Sequence, residues 1–214
     1  MKQLNVPYVP MLDMLDLSSA NFCLEKYAHR EYIDSVNWPQ SYSYKPIVVL
    51  DIARSDKFLY LSFFVRENSI RAVADKDGTP VYTDSCVEFF VKQEDSPIYT
   101  NFEFNCIATC DAAHRVSRQE KTPFTPTEYA QIRRYASLSN KPFTEKSGLF
   151  IWQVCVSIPF SLMGIDPDSL PTKVLGNFYK CADATQNKHY LSWNPIDLPQ
   201  PEFHCPQFFG ELYL

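Results

Sequence analysis

Apolar and polar residues alternate along several stretches of the chain, the pattern of a β-strand with one buried face. The alternation is clearest over residues 81–90. Its two faces hold Val87, Phe89 and Val91 on one side and Cys86, Glu88 and Phe90 on the other. Glu88 is an acid within an apolar strand, which costs free energy unless water or a polar group meets it. The stretch therefore predicts either the solvated face of a strand or the floor of a binding site.

Two hairpins follow from the same periodicity. Residues 47–52 and 58–66 flank a turn at residues 54–57, and residues 99–109 alternate after a loop at residues 93–97. A loop centred near residue 95 or 96 places Glu88 opposite Glu103. Opposed carboxylates repel, so this register predicts an intervening cation, a ligand hydroxyl or a shared proton.

The remaining pattern is short strands with proline-rich connections. Further strands are predicted at residues 69–74, 115–118, 131–138, 149–158, 174–182, 190–193 and 208–214, with one helical turn at residues 158–165. About ten strands with hardly any helix indicate an all-β fold, an antiparallel β-sandwich of the jelly-roll or immunoglobulin-like kind. We expect one domain over residues 1–214, its core starting near residue 38 and its first 46 residues forming an irregular cover segment.

Composition narrows the function. The chain has 214 residues, 45% of them hydrophobic, and a net charge of -5, so it can bury a core and has no basic stripe for nucleic acid. Neither a signal peptide nor a membrane span is visible, and we expect a cytoplasmic protein that does not bind membranes. The five glycines are too dispersed for a phosphate-binding loop. Oligomeric state is left open.

Seven cysteines without a C-x-x-C pair are expected to be buried thiols. Cys106 and Cys110 would share a strand, with Cα atoms about 13 Å apart, too far for a disulfide. Two sets with zinc-binding side chains fit zinc spacing poorly: Cys106, Cys110 and His114, and His189, His204 and Cys205. No cofactor is required, although calcium stays open, with Asp75 and Asp77 as candidate ligands.

Three functions compete on the residues alone. Glu88 and Glu103 are spaced for a glycoside hydrolase, which needs two carboxylates across a sugar bond. Tyr82 and Trp193, placed at loop mouths, suit carbohydrate binding, because flat rings stack on sugar C–H surfaces beside acids and amides. The third alternative is a structural or protein-interaction sandwich with a decayed site. The alternative for Trp193 itself is a place in the core, where tryptophan is usually well buried.

An ordered set of motifs resembles a known family. The set comprises Y-x-D-S-C-V-E-F-F from Tyr82, F-E-F-N-C-I-A-T from Phe102, W-Q-V-C-V-S-I-P-F from Trp152, G-N-F-Y-K-C-A-D from Gly176, and Y-L-S-W-N-P before F-F-G-E-L-Y-L. Together these motifs resemble the family 9 carbohydrate-binding modules, and more closely the family 9-like domains of gut-type Bacteroidetes in the DOMON sandwich superfamily.

The resemblance implies a β-sandwich that grips a sugar terminus between two aromatic rings, without catalysis, and that often carries calcium elsewhere. By position, the rings are Tyr82 and Trp193, the neighbouring acid is Glu88, and Arg115 is a cationic donor to hydroxyls. The chain departs from the family in having Tyr82 where tryptophan is usual. It also has an extra residue, Cys86, before the acid, which raises the question of which face Glu88 takes.

Overall fold

In the computed structural model, which describes residues 1–214, the alternating stretches form two β-sheets. The larger sheet comprises β1 (Gln3–Asn5), β3 (Ser35–Val36), β6 (Cys86–Lys92), β7 (Tyr99–Asn105), β8 (Cys110–Arg115), β9 (Lys121–Pro123), β12 (Lys173–Cys181), β13 (Tyr190–Ser192) and β14 (Gly210–Tyr213). The smaller sheet comprises β2 (His29–Tyr32), β4 (Ile47–Arg54), β5 (Phe58–Ala72), β10 (Arg133–Ala136) and β11 (Phe143–Pro159).

The strand order makes the architecture a sandwich. The larger sheet runs β1-β14-β12-β6-β7-β8-β9, with β13 beside β12 and β3 beside β13, and the smaller runs β10-β11-β5-β4-β2. Neighbouring strands are antiparallel except β1 and β14, which are parallel. The predicted β-sandwich is confirmed.

The core lies between the sheets and holds the apolar faces that alternation predicts. The larger sheet contributes Val87, Phe89 and Val91, and the smaller contributes Leu59, Leu61, Phe63, Val65, Trp152, Val154, Val156 and Ile158. Cys86 and Phe90, on the opposite face of β6, belong to a second apolar cluster beneath the C-terminal segment. The two faces of β6 are therefore the predicted ones.

The cover segment is more regular than expected. It contains β1, β2, β3 and an eleven-residue helix, α1 (Leu17–Tyr27), which is capped by Asp16. The buried residues of α1 include Leu17, Ala20 and Leu24, one helical face that packs on the outer side of the smaller sheet. Prolines flank α1 on both sides without interrupting it, so the segment is regular despite its proline content.

Three local predictions are also corrected. Residues 81–83 form a short 3₁₀ helix, so β6 begins only at Cys86. The strand predicted over residues 99–109 ends at Asn105, and a tight turn with Ala108 at a φ of 63° leads into β8. Helix α2 (Pro126–Gln131), with a Thr125–Glu128 capping box, occupies part of the connection between the strands predicted at residues 115–118 and 131–138.

The turn also changes the cysteine argument, because Cys106 and Cys110 flank it instead of sharing a strand. All seven cysteines are buried free thiols. The predicted helical turn before Gly164 is present as a 3₁₀ helix, Phe160–Met163, and two others lie at Pro10–Met14 and Pro206–Phe208. None of the helices has the length and apolar character needed to cross a membrane.

Asp84 anchors the start of β6. Its buried carboxylate forms an ion pair with Arg71 and accepts hydrogen bonds from the backbone N–H groups of Val73 and Ala74, 2.9–3.0 Å away. The amide of Asn105, at the end of β7, donates a further bond of 3.0 Å. One side chain thus joins the end of β5, the approach to β6 and the end of β7.

We expect Asp84→Asn to lower the free energy of unfolding by about 3 kcal/mol, because removing one member of a buried ion pair leaves the other uncompensated. The new amide N–H₂ would also face the N–H groups of Val73 and Ala74. Urea denaturation measures the change. The matched control is Asp75→Asn, at an exposed carboxylate without an ion pair, and equal stability of the two variants would contradict the anchoring role.

Candidate functional site

A pocket of about 390 Å³ lies on the outer face of the larger sheet. Its floor is formed by β6, β7 and β8, and its walls by the 3₁₀ turn at residues 81–83, the end of β12 with β13, and the C-terminal segment at residues 201–204. Polar and charged side chains outnumber apolar ones in the lining.

The floor contains three carboxyl groups in a row. Glu88 on β6 is directly opposite Glu103 on β7, as the alternation predicts, and Glu103 is opposite Asp111 on β8. Glu88 and Glu103 are 3% and 4% exposed, and no Lys, Arg or His forms an ion pair with either. The repulsion between Glu88 and Glu103 is therefore not relieved by a positively charged side chain in direct contact with either of them.

Glu88 points into the pocket despite the additional Cys86. Its Oε1 accepts a hydrogen bond from the thiol of Cys181, 3.0 Å away on β12, and lies 4.0 Å from the sulfur of Cys86. Burial raises the pKa of Glu88 well above its usual value, and the neighbouring Cys181 and Glu103 raise it further. A carboxyl group in this setting favours its protonated form.

Glu103 has one oxygen without a partner. The amide of Asn101 donates to its Oε1 over 3.0 Å, whereas the buried Oε2 has no hydrogen-bond partner. Burial, followed by the charge of Asp111, raises the pKa of Glu103 to about 8. An unpaired buried acceptor costs free energy that a ligand hydroxyl can recover.

Cationic side chains lie at the β8–β9 side of the pocket. Arg115 is buried and donates to the side chain of Asn101 and to the backbone carbonyl of Arg118, 2.7 Å away. Arg118 in turn pairs with Glu202, over 3.0 Å. Burial and these arginines lower the pKa of His204 to about 3, which keeps its imidazole neutral.

Three aromatic rings line the walls. Tyr82 is 42% exposed, and its backbone carbonyl accepts a bond from the N–H of Asp183. Tyr190 is half-buried and lies opposite Cys181 in the β12–β13 pair. Phe203, from the C-terminal segment, stacks on Tyr179 with ring centroids 4.2 Å apart and presents an edge to Tyr190 at 5.9 Å.

The expected placement of Trp193 at the mouth of the cleft is corrected. Its side chain is 0% exposed and packs in the central core against Phe178. Gly210 makes room for the ring, since a Cβ there would lie 2.4 Å from a Trp193 ring carbon. Tyr190 and Trp193 are three residues apart and so point to opposite faces of the sheet. Tyr190 takes the outward position.

Tyr82, Glu88 and Arg115 are therefore brought together in one pocket, and Trp193 is not. The position of Tyr190 could have been predicted from the sequence, because side chains alternate between the two faces along a strand and Tyr190 lies on the face opposite to that of Trp193. Asp111 could be found only by recognising the turn after Asn105. The other lining residues that were missed include Arg118, Lys121, Asp183, Glu202, Phe203 and His204.

Neither cysteine–histidine set forms a cluster of three ligating atoms, and the histidines and Asp77 have other partners. Three histidines form side-chain hydrogen bonds of 3.0 Å or less: His114 with Thr100, His204 with Tyr99, and His189 with Lys180. Both oxygens of Asp77 accept from Arg134, at 2.6 and 2.7 Å, while Asp75 is exposed.

Comparisons with known proteins agree on one family. The model of carbohydrate-binding family 9 matches residues 19–214. A Bacteroides uniformis ATCC 8492 protein, to which carbohydrate binding has been ascribed, is 35% identical, with a TM-score of 0.92 over 99% of this chain and 98% of that one. No curated protein matches the sequence.

Two more distant structures share the fold. Both are of a family 9 carbohydrate-binding module from Caldicellulosiruptor kristjanssonii and are 14% identical to this chain. The glucose complex has a TM-score of 0.57 over 99% of this chain and 95% of that one, and the cellotriose complex 0.59 over 99% and 93%.

We expect Glu103→Gln to become more stable than the wild type as the pH rises from about 4.5 to about 8. Below this window Glu103 is protonated in both the folded and the unfolded state. Within it the unfolded chain loses the proton and the folded protein keeps it, so the wild-type free energy of unfolding falls, by at most about 1.4 kcal/mol per pH unit. Above it the difference is constant.

Urea denaturation of both proteins across this range, in buffer with EDTA, measures the difference. Glu120→Gln, at an exposed glutamate, is the matched control. A stability difference between Glu103→Gln and the wild type that does not vary with pH would refute the assignment of the proton.

Proposed function

The chain belongs to carbohydrate-binding family 9, and on that premise we propose that the pocket above Glu88 and Glu103 is its sugar site. The function of the protein is non-catalytic carbohydrate binding. The observation that carries the location is the unpaired, buried Oε2 of Glu103 at the floor of a pocket walled by aromatic rings.

The chemistry of the lining suits a neutral sugar. Tyr82 and Tyr190 provide ring faces for C–H surfaces, and Oε2 of Glu103 can hydrogen-bond a sugar hydroxyl, donating where the carboxyl group is protonated and accepting where it is ionised. Arg115 fixes Asn101 and, through it, the orientation of Glu103. Glu88, the acid named by the family resemblance, completes the floor in this proposal, and Tyr190 replaces Trp193 as the second ring.

The size of the pocket favours a short glycan. A cavity of about 390 Å³ is at the lower end of the range for small-molecule sites. The C-terminal segment closes one side with Phe203 and Glu202, so the site suits the end of a chain better than its middle. Because the C. kristjanssonii module was solved with glucose and with cellotriose, we propose a glucose-containing terminus as the first ligand to test.

Tyr82→Ala and Tyr190→Ala should each weaken binding of cellotriose about three- to tenfold, since an aromatic contact contributes about 0.5–1.5 kcal/mol beyond its buried area. Isothermal titration calorimetry with glucose and cellotriose measures the affinities. Trp193→Phe should leave the affinity unchanged, because the ring lies in the core.

The matched control is Tyr32→Ala, at an exposed tyrosine of β2 in the smaller sheet. If Tyr32→Ala weakens binding as much as the pocket variants, or if Trp193→Phe alone abolishes it, the sugar lies elsewhere.

The observation that would argue for a hydrolase instead is the pair of opposed carboxyl groups with raised pKa values, an arrangement that also describes a general acid with its partner. Against it, Glu88 and Glu103 lie side by side on neighbouring strands of the pocket floor, whereas hydrolysis requires two carboxyl groups that flank a scissile bond. We expect no release of 4-nitrophenol from aryl glycosides above the rate in buffer. Turnover that disappears in Glu88→Gln would establish the enzyme instead.

A further inference from the structure

Three metal-ligating side chains converge beneath the pocket. Cys86 and Glu88 share the outer face of β6, and Cys181 lies opposite Cys86 on β12. Their ligating atoms, two sulfurs and one carboxylate oxygen, all lie within 4.8 Å of one another. Pairing of two strands, rather than a sequence motif, creates this cluster, and spacing along the chain therefore does not reveal it.

The separations are close to those around a tetrahedral zinc ion. Bonds of about 2.3 Å to sulfur and about 2.1 Å to oxygen place neighbouring ligand atoms about 3.6–3.8 Å apart. The sulfur of Cys181 is 3.0 Å from Oε1 of Glu88, and that of Cys86 is 4.0 Å away. Shifts of about 1 Å or less, within the present rotamer wells, would bring the three atoms to these separations.

The charge balance also favours a cation. The carboxylate of Glu88 accepts hydrogen bonds only from the two thiols, and Glu103 is directly opposite it. Buried carboxylates normally have an ion-pair partner or several donors. No lysine, arginine or histidine pairs with Glu88, so a divalent cation that displaces its proton would supply the positive charge that the ionised carboxylate lacks.

We propose that Cys86, Glu88 and Cys181 form a binding site for Zn²⁺ at the floor of the pocket, with a fourth coordination position facing the pocket. Thiolate ligands select zinc over calcium and magnesium, which prefer oxygen. On binding, each thiol releases its proton to solvent, as does Glu88 where it is protonated. Cys181 and Glu88 line the pocket, which provides the route of entry.

This site shares Glu88 with the proposed sugar site, but the unpaired oxygen of Glu103 and the rings of Tyr82 and Tyr190 take no part in it, and metal binding needs no sugar. The metal alone is therefore a sufficient probe. Cobalt(II) is suitable because a tetrahedral thiolate complex has a sulfur-to-metal charge-transfer band that carboxylates and histidines do not produce.

The experiment is a Co²⁺ titration of the full chain kept reduced with a phosphine, followed by displacement with Zn²⁺. We expect one equivalent of Co²⁺, a charge-transfer band, and loss of the band as Zn²⁺ is added. Cys181→Ala and Cys86→Ala should abolish the band, and Glu88→Gln should keep a weaker band with affinity reduced at least about tenfold.

The matched control is Cys155→Ala, at a buried thiol of β11 in the smaller sheet, which should retain wild-type binding. Circular dichroism checks that each variant is folded. Uptake of less than a tenth of an equivalent by the folded, reduced wild type would overturn the proposal, and this result does not depend on any variant. An equal loss in Cys155→Ala would also overturn it. Because no sugar is present, failure here leaves the sugar proposal intact, and the calorimetry can fail while metal binds.

Discussion

The pocket depends on a buried carboxylate that does not line it. Asp84 is bonded to Arg71, to the backbone beyond β5 and to Asn105 at the end of β7. It lies two residues after Tyr82 and four before Glu88, so its position sets both the ring at the mouth and the strand of the floor. A buried carboxylate is stable where donors surround it, as they do here.

The acids of the floor lack that support. Glu88 accepts hydrogen bonds only from thiols, and one carboxyl oxygen of Glu103 has no hydrogen-bond partner. The same end of the sheet therefore contains one acid surrounded by strong donors and two that lack them. A structural role requires only the first kind. Burying Glu103 with an unpaired oxygen, and Glu88 with thiols as its only donors, has a free-energy cost that a hydroxyl or a cation in the pocket would recover, and we locate function there for that reason.

Local pattern predicted the layers of the sandwich, the faces of β6 and the opposition of Glu88 and Glu103, because alternation and loop length determine antiparallel register. It could not reveal the turn after Asn105, since Ala108 adopts a left-handed φ without the usual glycine or asparagine. Asp111 was missed as a result. Phe203 reaches the pocket by a long-range contact that no local periodicity reports. Trp193 was placed at the mouth of the cleft because tryptophan is a common sugar-binding residue. The alternation of faces along the strand instead directs its side chain into the core.

A second buried network holds the pocket end of the sandwich together. Lys180, which points inward beside the outward-pointing Cys181, pairs with Glu67 of the smaller sheet at 3.0 Å and donates to the carbonyl of Cys181 at 2.9 Å. The indole of Trp152 donates to the same Glu67 over 2.6 Å. Hydrogen-bonded charges buried between the sheets resist sliding, because any shift would leave them unpaired. These contacts on the inner side of β12 hold its end in position. The side chains of Glu88 and Cys181 on the pocket floor are therefore preorganised before a ligand binds.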